Sequence, residues 1–165
     1  LGDVYKRQVL LYAPAAGYLL VLAIHFLLDK AGLFQWIEHA TNAPAEQSIV
    51  SVLRHSSDIP LITVICFSAA IAAPLVEELI FRGYLYPIMK KYTGVWFALI
   101  TTSLLFGIIH VSLVPFIPLA IFGAVLVLLY EYTGSIWTPI IAHCIFNTAT
   151  LINILYPGIL LPYGT

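Results

Sequence analysis

Glu77 and Glu78 stand side by side inside an apolar stretch, and Arg82 follows Glu78 at a distance of four residues. A carboxylate or guanidinium at the centre of a spanning helix costs about 2.5–3.5 kcal/mol on insertion scales, so such groups persist where they face one another around a polar cavity. The four-residue spacing sets Glu78 and Arg82 on one helix face with the acid first, the better order for pairing. Glu77 points about 100° away around the same turn. The arginine can therefore hold Glu78 as support while Glu77 serves as a general base. The bland alternative is a buried ion network of all three residues that fixes helix register.

Phe106 and His110 are four residues apart, as are His143 and Asn147, so each pair shares a helix face. Neutral imidazole can polarise water, donate to an oxyanion or bind a metal. The Asn147 amide offers an N–H to an oxyanion. A base, a place for water and donors where negative charge develops are what acyl transfer to water requires. His25 has no partner motif and reads as a hydrogen-bonded packing residue.

The elements that must position these groups follow from composition. The chain of 165 residues is 61% hydrophobic and 9% charged, which leaves too little polar surface to cover a water-soluble core. The expected fold is all-α: a polytopic transmembrane bundle of about five spanning helices at about 20 residues each. The apolar runs are residues 9–28, 59–91, 95–111, 115–130 and 135–156, within a single transmembrane domain over 9–156. Residues 29–58 carry Leu33, Phe34, Trp36, Ile37, Ile49, Val50, Val52 and Leu53 at helical spacing, and read as an interfacial amphipathic segment, either a lid beside the site or a plain connector. Residues 1–8 look like the translation of a sequencing adapter and are expected to be a scar; 157–165 are expected to be a tail.

A net charge of −1 without a basic stripe argues against a nucleic-acid partner. Cys66 and Cys144 lie in apolar runs, outside any CxxC pair. Lys90 and Lys91 close the 59–91 run, and by the positive-inside rule their loop faces the cytoplasm. Tyr92-Thr93-Gly94 before Trp96 is echoed by Tyr132-Thr133-Gly134 before Trp137, which sets both at one membrane face. Depth fits less well. At 1.5 Å per residue, His143 lies about 13 Å from Gly134, whereas His110 lies about 24 Å from Gly94 and Glu77 about 20 Å from Lys90. Tilt, a kink at Pro74 or an interfacial turn over 83–87 would remove the mismatch.

Glu77-Glu78-Leu79-Ile80-Phe81-Arg82, Phe106-Gly107-Ile108-Ile109-His110 and His143-Cys144-Ile145-Phe146-Asn147 resemble the motifs EExxxR, FxxxH and HxxxN of the CAAX-protease and bacteriocin-processing family of intramembrane endopeptidases. The resemblance covers roughly 61–151 and includes the approach Thr133 to Pro139. It implies a membrane-embedded peptidase whose eukaryotic members remove the last three residues of prenylated CAAX proteins. Carried onto this chain, it implies that Glu77 activates water with help from His110, and that His143 and Asn147 stabilise the tetrahedral intermediate.

The chain has no HExxH zinc signature. A three-ligand zinc site of Glu77, His110 and His143 stays open beside a metal-independent mechanism, which is preferred because Glu77 cannot be both full-time ligand and base unless Glu78 takes one role. The expected partners are a peptide or protein substrate and the lipid bilayer. The substrate is either a CAAX-type C-terminus, with Phe67, Phe97, Phe116 and Phe122 as candidate lining for a prenyl slot, or a leader or bacteriocin-like precursor. A bacterial cell membrane, with the site nearer the cytoplasmic side, is the expected location. The competing functions are a proton-coupled transporter and a non-catalytic scaffold or immunity protein.

Overall fold

Within a bilayer, backbone N–H and C=O groups must be satisfied inside the segment, and long apolar runs meet that demand as helices. The computed structural model describes residues 2–41, 48–110 and 115–157, and these hold helices and no strand. In order they are α1 (Gly2–Lys30), α2 (Leu33–Thr41), α3 (Ser48–His55), α4 (Ile59–Thr93), α5 (Val95–Ile108), α6 (Phe116–Thr133) and α7 (Trp137–Leu155). The protein is an all-α membrane bundle. Three described helices, α4, α6 and α7, are long and apolar enough to cross a bilayer, and α5 is a shorter apolar helix. The expected first crossing, 9–28, falls inside α1. The tail expected from 157 lies, beyond Pro157, outside the described residues.

Local chemistry sets the ends of α4. Asp58 caps it, its carboxylate accepting the Leu61 N–H at 3.1 Å, and Pro60 fills the first turn, where a missing N–H costs nothing. At the far end Gly94 adopts φ +83°, and after α6 Gly134 adopts φ +64°, conformations open to glycine. Lys90 Nζ bridges Glu131 at 2.7 Å, which fixes the ends of α4 and α6 at one face of the bundle. The two Tyr-Thr-Gly echoes therefore sit together, with Tyr92, Trp96, Tyr132 and Trp137 exposed around them.

Only 6% of the most apolar stretch of α4 is buried, so its hydrophobicity serves lipid contact more than the core. The core gathers where α4, α5, α6 and α7 meet: Phe81, Phe106, Phe122, Leu126, Leu129 and Ala142, joined by Val21 of α1. Phe67 and Phe97 are 60% and 58% exposed, whereas Phe122 is buried.

Of the three ways to remove the depth mismatch, the interfacial turn at 83–87 does not form, because α4 runs through it as a π-wound stretch, Leu79–Leu85, and continues to Thr93. The third expected crossing ends early: α5 stops at Ile108, and His110 lies in the turn after it. The layer that meets His143 is set by Phe106, not His110. Phe106 stands about 18 Å from Gly94 along the helix, about 5 Å deeper than His143, within the reach of side chains.

Candidate active site

Glu78 is fully buried, and its Oε1 accepts Arg82 Nη1 at 2.8 Å and His143 Nδ1 at 2.9 Å. A carboxylate only accepts, so His143 carries its proton on Nδ1 and turns Nε2 the other way. Arg82 Nη2 donates to the Gly123 carbonyl at 2.8 Å. The guanidinium also lies 4.9 Å from the Phe106 ring centroid and 5.7 Å from that of Phe81, within cation–π range. Phe106 and Phe122 meet the His143 ring edge-on at 5.6 and 5.3 Å. Three chain segments thus clamp one imidazole. α4 supplies the acid and base, α5 and α6 supply the rings, and α6 adds the Gly123 carbonyl where it packs closely on α5. A Cβ at Gly123 would stand 3.2 Å from the Ser103 Cα.

Glu77 faces away from that clamp. Its Oε2 is 3.8 Å from His143 Nε2 and makes no hydrogen bond with protein. With His110, Asn147, Ala69 and Ala73 it lines a cavity of about 710 Å³, a size suited to a small organic or short peptide ligand. Ile49, Val50, Leu53 and Arg54 of α3 form part of the same wall, so the amphipathic segment borders the site. His110 Nδ1 lies 2.7 Å from the Phe106 carbonyl. The carbonyl can only accept, so Nδ1 is the protonated nitrogen and Nε2 is left for other partners. Asn147 Nδ2 donates to the Ala69 carbonyl at 2.8 Å.

The type II CAAX prenyl endopeptidase Rce1-like family matches residues 59–149. The chain belongs to the Rce1-like family. Among this family member's relatives, the Bacillus subtilis (strain 168) protein YdiL, named as a candidate membrane peptidase, is 30% identical over 144 residues, which are 86% of this chain and 55% of YdiL. YpbD of the same organism, whose name assigns it no activity, is 25% identical over 151 residues, 89% of this chain and 69% of YpbD. The chain spans about half the length of YdiL and about two thirds of YpbD. No solved structure gives a significant match.

In this Rce1-like chain the zinc set Glu77, His110 and His143 is not assembled. Among the described residues no three His, Cys, Asp or Glu side chains gather as ligands, although Nδ1 bonded to an oxygen leaves Nε2 of each histidine open. Several contributors escaped the sequence. His25 lines the cavity and meets the Phe34 ring at a tilt, centroids 4.6 Å apart, although nothing around it in the chain marks it. Backbone carbonyls such as Gly123 O carry no residue signature at all. Ala69 O did leave a signal, which is Pro74.

Proposed function

We propose that the protein is an intramembrane endopeptidase in which Glu77 activates the attacking water. The observation that carries this reading is the 3.8 Å approach of Glu77 Oε2 to His143 Nε2 at the cavity wall, with the far side of that imidazole held by Glu78. A water bound beside Glu77 loses its proton to the carboxylate as its oxygen attacks the scissile carbonyl. The carbonyl oxygen takes up the negative charge in the tetrahedral intermediate. As the C–N bond breaks, the proton held by Glu77 passes to the leaving amine. His110, oriented by the Phe106 carbonyl, assists at the same wall, while Glu78 and Arg82 fix His143 without touching substrate.

The substrate in this reading is a peptide or protein segment at the membrane, either a CAAX-type C-terminus or a leader-like precursor. Membership of a prenyl endopeptidase family supports the first, and a partly apolar cavity accommodates both. The Lys90 and Lys91 end supports a cytoplasmic orientation for that face, and the Bacillus relatives support a bacterial cell membrane.

The decisive experiment makes Glu77→Gln and follows cleavage of a fluorogenic peptide library by the purified protein, with and without a chelator. Turnover is expected to fall by about 10²–10⁴-fold, the range of a lost general base, with an unchanged melting curve. An E77Q variant that cleaves at the parent rate would sink the proposal.

A further inference from the structure

Asn147 stands where an oxyanion donor is expected, yet one of the two N–H groups of its amide is engaged elsewhere. Nδ2 donates to Ala69 O at 2.8 Å, across from α7 to α4. The cause lies in how α4 is wound. Over Ser68–Ala72 the helix is π-wound, and the Ala73 N–H reaches back five residues to Ser68 O. In α register the Ala69 carbonyl would take the N–H of residue 73, which Ser68 has claimed. In π register it would take that of residue 74, which is proline and has none. A carbonyl without a backbone donor inside a spanning helix must find a side chain or the water of a neighbouring cavity, and here a side chain reaches it. Asn147 is that side chain.

The consequence reaches Glu77. A π turn adds one residue to the helix register, and one residue is about 100° of rotation. That is the angle between Glu77 and Glu78. Winding 68–72 as ordinary α-helix would therefore swing both glutamates around by one position, taking Glu78 off His143 and Glu77 off the cavity. α7 touches α4 within this stretch, through Asn147 to Ala69, and again six residues beyond it, through His143 to Glu78. We propose that Asn147 is a positioning residue: by covering the carbonyl that Pro74 leaves without a donor, it holds the π turn and so aims Glu77 into the cavity. This rests on the peptidase reading for its catalytic consequence, though not for the clamp itself.

The test is a double-mutant cycle on the full chain, with Asn147→Ala made in the parent and in Pro74→Ala, which restores an N–H at residue 74. With Pro74 present, Asn147→Ala is expected to lower kcat by about 10²-fold, the scale of a small misplacement of reacting groups, with KM within about twofold. In the P74A background, the same change is expected to lower kcat less than about tenfold, because neighbours in one hydrogen-bond network couple by that much. A direct oxyanion donor costs about 10²–10³-fold whatever stands at residue 74, so an equal loss in both backgrounds would overturn the proposal. Melting curves give a readout independent of activity: Asn147→Ala should lower the melting temperature of the parent and leave that of the P74A variant nearly unchanged. Equal lowering would overturn the clamp. Were the parent to cleave no peptide, the functional reading would fall while the melting cycle still decided the clamp.

Discussion

α4 carries two ion pairs of nearly equal length and very different surroundings. Glu78 and Arg82 meet at 2.8 Å with 0% and 1% of their side chains exposed. Lys90, two turns further on, meets Glu131 at 2.7 Å with 39% and 27% exposed. The inner pair is walled by Phe81, Phe106 and His143, so neither charge has water to fall back on. The outer pair stands among exposed tyrosines and tryptophans at the end of the bundle, where solvent and salt screen it. Separation alone therefore says little about what an ion pair does. The inner one orients a histidine, and the outer one ties two helix ends.

The sharpest way to break that contrast is Arg82→Met. It removes one partner and leaves Glu78 buried without its guanidinium, and such changes destabilise by about 3–5 kcal/mol. The melting temperature in mild detergent should drop accordingly, and peptide cleavage should go with it, since Glu78, which anchors His143, loses the guanidinium that holds it. An R82M variant that melts with the parent would mean that Glu78 finds its compensation in His143 alone, and the inner pair would then resemble the outer one.

Gly107 tests the walls of the inner site without touching its charges. A Cβ there would stand 2.9 Å from both the Phe116 ring and the Phe116 carbonyl oxygen. The ring can swing aside, but the backbone carbonyl opening α6 cannot move without dragging α5 against α6. Gly107→Ala is expected to destabilise by about 1–3 kcal/mol as an overpacked contact, and to lower kcat through Phe106 and His110 on either side of it. Thermal melting and cleavage measured together check this; a fully active G107A variant as stable as the parent would show that the α5–α6 approach is not tight in the membrane.

The same contrast shows what the sequence could reveal. Glu78 and Arg82 were legible as a pair because four residues on a helix make neighbours whatever the tertiary fold. The Tyr-Thr-Gly echoes were legible because helix ends in membranes draw on few residue types. What Arg82 does with its second nitrogen was not, since the Gly123 carbonyl lies 41 residues away and any residue owns a carbonyl. The π winding at 68–72 and 79–85 was also hidden, because an apolar pattern does not separate four-residue from five-residue hydrogen bonding. Gly83 and Pro87 left a turn at 83–87 open beside tilt and a Pro74 kink, and the structure keeps the helix continuous there. Within a membrane a continuous helix satisfies more backbone than a turn does.

The outer pair predicts the smallest effect. Lys90→Ala removes a bridge that is more than a third exposed on the lysine side, so screening leaves it about 0–1 kcal/mol of stability. Cleavage should stay near the parent rate, because about 20 Å of helix separates Lys90 from Glu77. The informative measurement is salt dependence. If the pair acts as an exposed tie, raising the salt concentration should narrow the melting difference between the parent and the K90A variant until it vanishes, while the difference between the parent and the R82M variant persists. Equal salt sensitivity at both sites would erase the distinction, for it would mean that water reaches Glu78 and that the ring wall around Arg82 does not seal.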